Sequence, residues 1–514
     1  MTTNIMKPFL LLLLALLPVQ PALFAADLQL AAIFSDHMVL QRDKQVPVWG
    51  WANPGEQITV KFSGQGKTAT ADGRGKWIVR LEPMKASAKP QTLRVSSQTQ
   101  DRVTNVTDVL IGEVWLGSGQ SNMAMTVAGA RDFEVEKAAA NLPLIRMFKE
   151  TSSGADTPEA DAKGAWLTCS PETVGSFSAT LYFFGRELKK ELGVPVGLIN
   201  SSVGGTPIEA WVAAEAQART PELKATHEAA AKAYAAFDVA KVQAQYDMAL
   251  VRWKERAAKA KAAGQPAPRR PRNPVDRHKQ RGGPGGLFNG KIAPLIPYAI
   301  RGAIWYQGEA NSQPGKGHLY QYQLPLLVKD WRKRWGENFP FAWVQLPNFQ
   351  REGEGWMLVR EGMLKTLRVP RTGMAITVDV GQAKDIHPKN KQDVGRRLAF
   401  WALGDVYEKE GIATSGPLPT KPEIRGNEFV ISFTHAEGGL QAKGGKLKGF
   451  VIAGTDRRWK PANARIDGDK VIVSHPDITK PVAVRYAWEA NPDCNLFNGQ
   501  GLPASPFRTD DGEK

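Results

Sequence analysis

Only two cysteines, Cys169 and Cys494, occur in 514 residues, so no disulfide framework can carry this fold. Two distant thiols admit one bridge at most, and the composition favours both as free, buried side chains. Histidine is also scarce, at seven, which makes each one worth weighing as a base or ligand. One long apolar run exists, Pro8 to Leu17, and it falls short of the ~20 residues a membrane span requires. It follows Lys7, is broken by Pro18, Gln20 and Pro21, and leads to a small-residue stretch near Ala25-Ala26. That is the pattern of a signal peptide over 1–25, so an exported protein, periplasmic or secreted, is expected, with no stable membrane insertion. No cysteine follows the apolar core, which argues against a lipid-modified terminus. No internal repeat is visible. At 42% hydrophobic and 23% charged, the chain is too apolar for disorder.

Acidic residues are outnumbered, 51 against 67 Lys and Arg, for a net charge of +16. Export argues against nucleic acid as the reason. Much of the excess is local: Arg269, Arg270, Arg272, Arg277, Lys279 and Arg281 crowd a Pro/Gly-rich stretch, 265–286. It reads as a solvated, mobile linker, or as a rim that steers acidic glycans.

Three rhythms follow one another along the chain. Residues 27–105 alternate in short runs (Val46 to Trp51, Ile58 to Phe62, Trp77 to Leu81) separated by turn signals such as Asn53-Pro54-Gly55, which suits a small β-sandwich. Over 106–415, continuous apolar runs alternate with helical stretches. The candidate strands are Val109 to Leu116, Val196 to Asn200, Ile300 to Tyr306, Ala342 to Leu346 and Met374 to Val378; the helices include Ser178 to Leu192 and Tyr320 to Trp335. Continuous runs fit strands covered on both faces, so the spacing predicts an α/β domain with a three-layer, flavodoxin-like parallel sheet. A helical and basic insertion, about 212–286, interrupts it. Tyr234, Phe237, Ala240, Ala244, Met248 and Val251 recur there at helical spacing and are expected as core. Residues 416–508 return to a β-rich pattern.

The chemistry concentrates at strand ends. Gly117-Ser118-Gly119-Gln120-Ser121-Asn122-Met123 closes the Val109 run with a glycine turn and a serine, at the sheet edge where open α/β folds bind ligands. A serine hydroxyl needs a positioned base to act as a nucleophile. Asp385-Ile386-His387-Pro388 offers one: Pro388 disfavours helix at His387, leaving its ring on a loop, and Asp385 can accept from one ring nitrogen. A capped helix start at Asp385 with an incidental histidine is the plainer reading of that motif alone. A metal reading of Asp385, His387 and Asp393 lacks further ligands at a workable spacing. Glycines in Ser201-Ser202-Val203-Gly204-Gly205-Thr206-Pro207 allow close backbone approach, so the Gly204 N–H is a candidate donor to an oxyanion. Gln307, in Tyr306-Gln307-Gly308-Glu309-Ala310-Asn311, can donate a side-chain amide at the same edge.

These four blocks, with Gly204 to Trp211 and Trp305 to Asn311 in the same order, resemble those of the SGNH hydrolases, and specifically the sialate O-acetylesterase family. The tail from Gly449 to Gly454 and from Asn495 to Pro503 is similar too, so the likeness spans nearly the whole chain and is weakest in the basic insertion. The resemblance implies an SGNH hydrolase domain flanked by two β-rich modules. It implies Ser121 as nucleophile, His387 as base and Asp385 as its partner, with an oxyanion hole of the Ser121 backbone, Gly204 and Gln307. Where the wider superfamily has asparagine, this chain has Gln307, so whether Gln307 or Asn311 points inward stays open. Asn122, Glu309, Asn311 and Arg360, with the Trp356 region, are the candidate sugar contacts. Ser118 is a decoy three residues early. The expected activity is removal of acetyl groups from sugar hydroxyls, O-acetylated sialic acid first, without cofactor or metal. An acetyl-xylan or other polysaccharide deacetylase, and a non-catalytic glycan-binding protein, are the alternatives.

Overall fold

A computed structural model describes residues 28–98 and 102–511, so the expected signal peptide lies outside the described residues. The five expected strands form, and we label the central sheet in chain order: β1 (Val103–Gly119), β2 (Ile145–Glu150), β3 (Gly164–Thr168), β4 (Val196–Ser202), β5 (Gly302–Tyr306), β6 (Phe341–Val344) and β7 (Thr372–Ala375). Across the sheet they run β3-β2-β4-β1-β5-β6-β7, all parallel except the β3–β2 edge pair. Without that edge pair the order is second, first, third, fourth, fifth, the doubly wound arrangement with its crossover at β1. The order reverses between β1 and β5, so the serine after β1 and the Gln307 loop after β5 flank the reversal, with the Gly204 loop after the neighbouring β4.

Neighbouring residues on each strand divide between two cores, as the two-residue side-chain period requires. Val114, Leu116, Ala303, Trp305 and Trp343 pack with Leu324, Leu327, Trp331, Val359 and Met363. Trp115, Ile304, Tyr306, Ala342 and Val344 pack with Leu181, Phe184, Leu188, Val394 and Leu398. Among the helices are α1 (Ser121–Ala124), α2 (Ala179–Leu192), α3 (Pro221–Ala235), α4 (Val239–Ala262), α5 (Pro274–Arg281), α6 (Tyr320–Trp335), α7 (Gly355–Thr366) and α8 (Lys391–Trp401), with two short ones at Phe133–Ala138 and Ala214–Ala218. α2 starts where its cap says it should: the Ser178 hydroxyl accepts from the Leu181 amide at 3.3 Å.

β1 is seventeen residues long because its two halves serve different partners. Its first half pairs with Ser87–Ser97 and Val39–Gln41 of the N-terminal β region, its second with β4 and β5. At the join, the fully buried Glu113 carboxylate accepts from Arg42 at 2.5 Å, Arg301 at 2.7 Å and the Tyr407 hydroxyl at 2.9 Å. A buried carboxylate is tolerable only when its lone pairs are matched in this way. The C-terminal strands Glu428–Thr434, Lys470–Ser474 and Pro481–Tyr486 enclose a separate core of Phe429, Ile431, Val471, Val484 and Phe507. That module leans on α7, with Arg508 bidentate to Glu361 at 2.9 Å for each bond.

Two expectations for the insertion need correction. The apolar stripe is not core: Ala240 and Ala244 are exposed, and Met248 and Val251 are 57% and 56% exposed. α4 turns a different face inward, with Val242, Tyr246, Leu250 and Trp253 half-buried and the Trp253 indole donating to the Pro268 carbonyl at 2.7 Å. Helical spacing fits both stripes, and only the returning chain decides between them. Tyr234 and Phe237 do pack, stacking on His278 at 4.4 and 3.9 Å between ring centroids. Nor is 265–286 wholly a loop, since Asn273 caps α5 within it. Both cysteines are free: Cys169 is buried, with burial pushing its thiol up to about 12, and Cys494 is half-buried. Among the described residues no helix is long and apolar enough to cross a membrane.

Candidate active site

The turn after β1 is forced into shape at Gly119. Its φ is +136°, and a Cβ there would lie 2.2 Å from the Tyr306 carbonyl oxygen, so the close approach of β1 and β5 excludes any side chain. The chain then enters α1 at Ser121, whose amide, as the first of a helix, has no intrahelical acceptor. The Ser121 Oγ meets His387 Nε2 at 2.8 Å, across 266 residues of sequence. That is full hydrogen-bond contact between a hydroxyl and an imidazole. Ser118, by contrast, is fully buried, and its Oγ finds no partner among the described residues.

Asp385 sits differently from its expected role. Its Oδ1 lies 3.8 Å from His387 Nδ1, beyond hydrogen-bond range, and accepts instead from the His387 backbone N–H at 2.9 Å. It therefore shapes the loop first and faces the ring as a nearby charge. Burial holds the His387 imidazole below its usual 6.5; Asp385 pulls the other way and the Lys391 ammonium adds to the depression. The depression favours the neutral ring, in which one nitrogen can accept the serine proton.

Across from the serine, a Cβ at Gly204 would stand 3.6 Å from the Ser121 Cβ, so the Gly204 backbone borders the hydroxyl. Arg281, the last residue of α5, donates to the Gly204 carbonyl at 3.0 Å. The basic insertion thereby touches the loop beside the serine. Between them opens a cleft of about 500 Å³ lined by Pro207, Glu209, Tyr234, Arg281, Asn311 and Lys316.

Gln307 is not a free donor. Its fully buried amide nitrogen lies within bonding distance of Asn311 Oδ1 (2.7 Å), the Thr206 carbonyl (3.1 Å) and Gln120 Oε1 (3.2 Å), while its oxygen accepts from Tyr320 at 2.9 Å. Two amide protons against three acceptors leave none for a ligand. Asn311 is saturated as well: its oxygen accepts from Gln307 and the Ile208 amide, and its nitrogen donates to Glu209 and Gln323. The other expected sugar contacts also lie beneath the surface. Asn122 and Arg360 are fully buried and Glu309 is 3% exposed. Arg360 directs its guanidinium at four backbone carbonyls, those of Leu346, Pro347, Glu489 and Ala490. Trp356 is buried beside it, its indole donating to the Pro347 carbonyl at 2.9 Å. These residues are hydrogen-bonded within the protein, although Asn311 also borders the cleft. Among the described residues no cluster of His, Cys, Asp and Glu is arranged to hold a metal ion.

Sequence reasoning passed over three participants. Gln120 accepts from both Gln307 and the Ala310 amide, Glu209 anchors Asn311 and Gln323, and Lys391 bonds Asn122. Glu209 stood within a quoted block; nothing local marked Lys391.

Residues 111–254 and 290–403 match the family described as "Carbohydrate esterase, sialic acid-specific acetylesterase". The chain belongs to that family. The match includes the serine turn, the Gly204 loop, the Gln307 loop and the Asp385–His387 loop, and it omits 255–289, which contains the whole basic stretch. Family membership makes the chain a carboxylic ester hydrolase. A sialate O-acetylesterase of Rattus norvegicus is 29% identical over 93% of both chains, and one of Homo sapiens is 27% identical over 93% of this chain and 91% of its own. A crystal structure of a carbohydrate acetylesterase from Xanthomonas citri is 37% identical, covers 95% of this chain and 100% of its own, and superposes with a TM-score of 0.80.

Proposed function

We propose that this esterase is an exported carbohydrate O-acetylesterase of three-layer SGNH fold, acting on O-acetylated sialic acid through a Ser121 acyl-enzyme. The observation that carries this reading is the 2.8 Å contact between Ser121 Oγ and His387 Nε2. Ser121 Oγ attacks the acetyl carbonyl while His387 Nε2 takes its proton. The oxyanion is received by the Ser121 and Gly204 backbone amides, which need no reorganisation to meet it. His387 then returns the proton to the departing sugar hydroxyl as the C–O bond breaks. Water, deprotonated by the same nitrogen, releases acetate from the serine. Asp385 steadies the imidazolium formed in each step, first as a charge at 3.8 Å and, with a closure of about 1 Å, as a hydrogen-bond acceptor. Gln307 serves as the post on which the surrounding loops hang.

The relatives' names support sialate as the sugar, and the run from Lys7 to Ala26 supports export. An acetate-release screen over O-acetylated sialic acid, acetylated xylan and other acetylated glycans, with Ser121→Ala as control, tests both chemistry and substrate. The variant should stay folded and lose p-nitrophenyl acetate turnover. Retained turnover removes Ser121 as nucleophile, and release from xylan but not sialate replaces the substrate.

A further inference from the structure

An ammonium lies in an unexpected place behind the reacting pair. Lys391 is fully buried and opens helix α8, where the positive end of the helix dipole disfavours a cation. Burying an ammonium is itself costly unless it is well partnered. Its partners are specific. Nζ donates to Asn122 Oδ1 at 2.7 Å and to the Pro388 carbonyl at 2.5 Å, and lies 5.4 Å from the centre of the Tyr306 ring. Asn122 directly follows the serine and Pro388 directly follows the histidine. The Asn122 amide nitrogen closes the figure by donating to the Ile386 carbonyl at 3.0 Å, and to Glu309 Oε1 at 2.6 Å. Both neighbours of His387 in the chain are therefore tied, through one amide and one ammonium, to the residue beside Ser121.

We propose that Lys391 is a positioning residue for the esterase reaction, fixing the histidine loop over the serine turn and holding a positive charge behind the imidazole. The proposal rests on the reading of Ser121 and His387 as nucleophile and base. The groups facing His387 are Ser121, Asp385 from its own loop and Lys391 from α8. Those facing Lys391 are Asn122, Tyr306, Glu309 and Asp385. Burial lowers the Lys391 ammonium to about 7, with Glu309 and Asp385 opposing, and raises the Glu309 carboxyl. Glu309 Oε2 has no hydrogen-bond partner among the described residues. A lysine kept at this position against burial and helix dipole, with its amine aimed at the residues after the nucleophile and the base, is better explained by placement of those two groups than by stability.

Two variants separate the tie from the charge. Lys391→Met removes both; Lys391→Gln keeps an amide donor for the Asn122 and Pro388 oxygens but no charge. With p-nitrophenyl acetate, Lys391→Met should lower kcat by about tenfold to a hundredfold with little change in KM, the scale of a misplaced catalytic pair. In both variants the acid limb of kcat/KM should move upward by roughly half a pH unit to one unit, because a repelling charge has left the imidazole. Lys391→Gln should recover much of the lost kcat. Circular dichroism at the assay temperature establishes that each variant is folded, and Lys391→Gln is the less disruptive should Lys391→Met not fold. Wild-type kcat in folded Lys391→Met overturns the positioning role, and an unmoved acid limb in Lys391→Gln overturns the role of the charge. Activity in Ser121→Ala would instead overturn the nucleophile reading, so the two failures are distinguishable.

Discussion

Replacing Arg360 with methionine distinguishes a residue that supports the site from one that touches sugar. The guanidinium is fully buried and faces carbonyl oxygens at 2.8 Å (Leu346), 2.6 Å (Pro347), 2.8 Å (Glu489) and 3.1 Å (Ala490). Burial lowers it to about 9, still charged at neutral pH. Methionine matches its unbranched stem and donates nothing. Each orphaned carbonyl costs about 1 kcal/mol or more, and breaking such a buried charged cluster typically costs 3–5 kcal/mol, so a loss of about 4 kcal/mol is expected. In the unit formed by the hydrolase domain and the C-terminal module, about 400 residues long, that corresponds to a drop in Tm of roughly 5 °C. The measurement pairs a thermal melt followed by circular dichroism with kcat and KM for p-nitrophenyl acetate and an acetylated glycan at 25 °C. Tm should fall, while KM for the glycan stays within about twofold, because the side chain reaches no solvent-facing surface. A glycan KM raised tenfold or more at unchanged Tm would refute this and restore Arg360 as a sugar contact.

Gln307→Leu leaves the Thr206 carbonyl, Asn311 and Gln120 each short of a partner, so it should lower stability by about 2–4 kcal/mol along with kcat. A loss of 10²–10³ in kcat at unchanged denaturant midpoint would instead mark Gln307 as a direct oxyanion donor. Arg281→Ala frees the Gly204 carbonyl and should reduce kcat about threefold to thirtyfold on small and glycan esters alike; an unchanged kcat on both would detach the insertion from catalysis. The pH profile follows from the depressed His387 ring. A lowered pKa keeps the base unprotonated further into acid, so kcat/KM should hold at neutral pH and fall only through a midpoint below 6.5. A midpoint above 6.5 would contradict His387 as the base in this environment.

How much of this was legible from residues alone depended on whether the signal was local. Strands β1, β4, β5, β6 and β7 were readable because both faces are buried, which leaves uninterrupted apolar runs. The edge pair β2–β3 was not, since Arg146, Lys149 and Glu150 break the run in β2. Arg146 is hidden by reaching Asp108 on β1, and Glu150 by pairing with Lys291 and accepting from Ser152 and Ser201. The serine, the histidine and the Gly204 turn were legible because glycine and proline mark them. The burial of Gln307, Asn122, Asn311 and Arg360 was not legible, for one shared reason. A polar residue in a loop block looks identical whether it faces solvent or a buried carbonyl, and its partners lie as far as 269 residues away, as for Asn122 and Lys391.

The layer beneath the serine has its own chemical logic. It is built mainly from amides: Gln120, Asn122, Gln307, Asn311 and Gln323. A primary amide both donates and accepts, so it can join loops that each present leftover carbonyls and N–H groups without placing a charge near the base. The charge it does hold is matched or turned to use. Glu209 has both oxygens taken, by Asn311 and Gln323, whereas Lys391 stands next to the imidazole with its protons aimed at the neighbours of the nucleophile and the base. A network joined in this way is rigid, because loss of a member strands others, even with Glu309 Oε2 unpartnered among the described residues. Rigidity is what a reaction carried by one short hydroxyl–imidazole contact requires: the loops after β1, β4, β5 and β7 share amides, so none of the four can drift without breaking bonds in another.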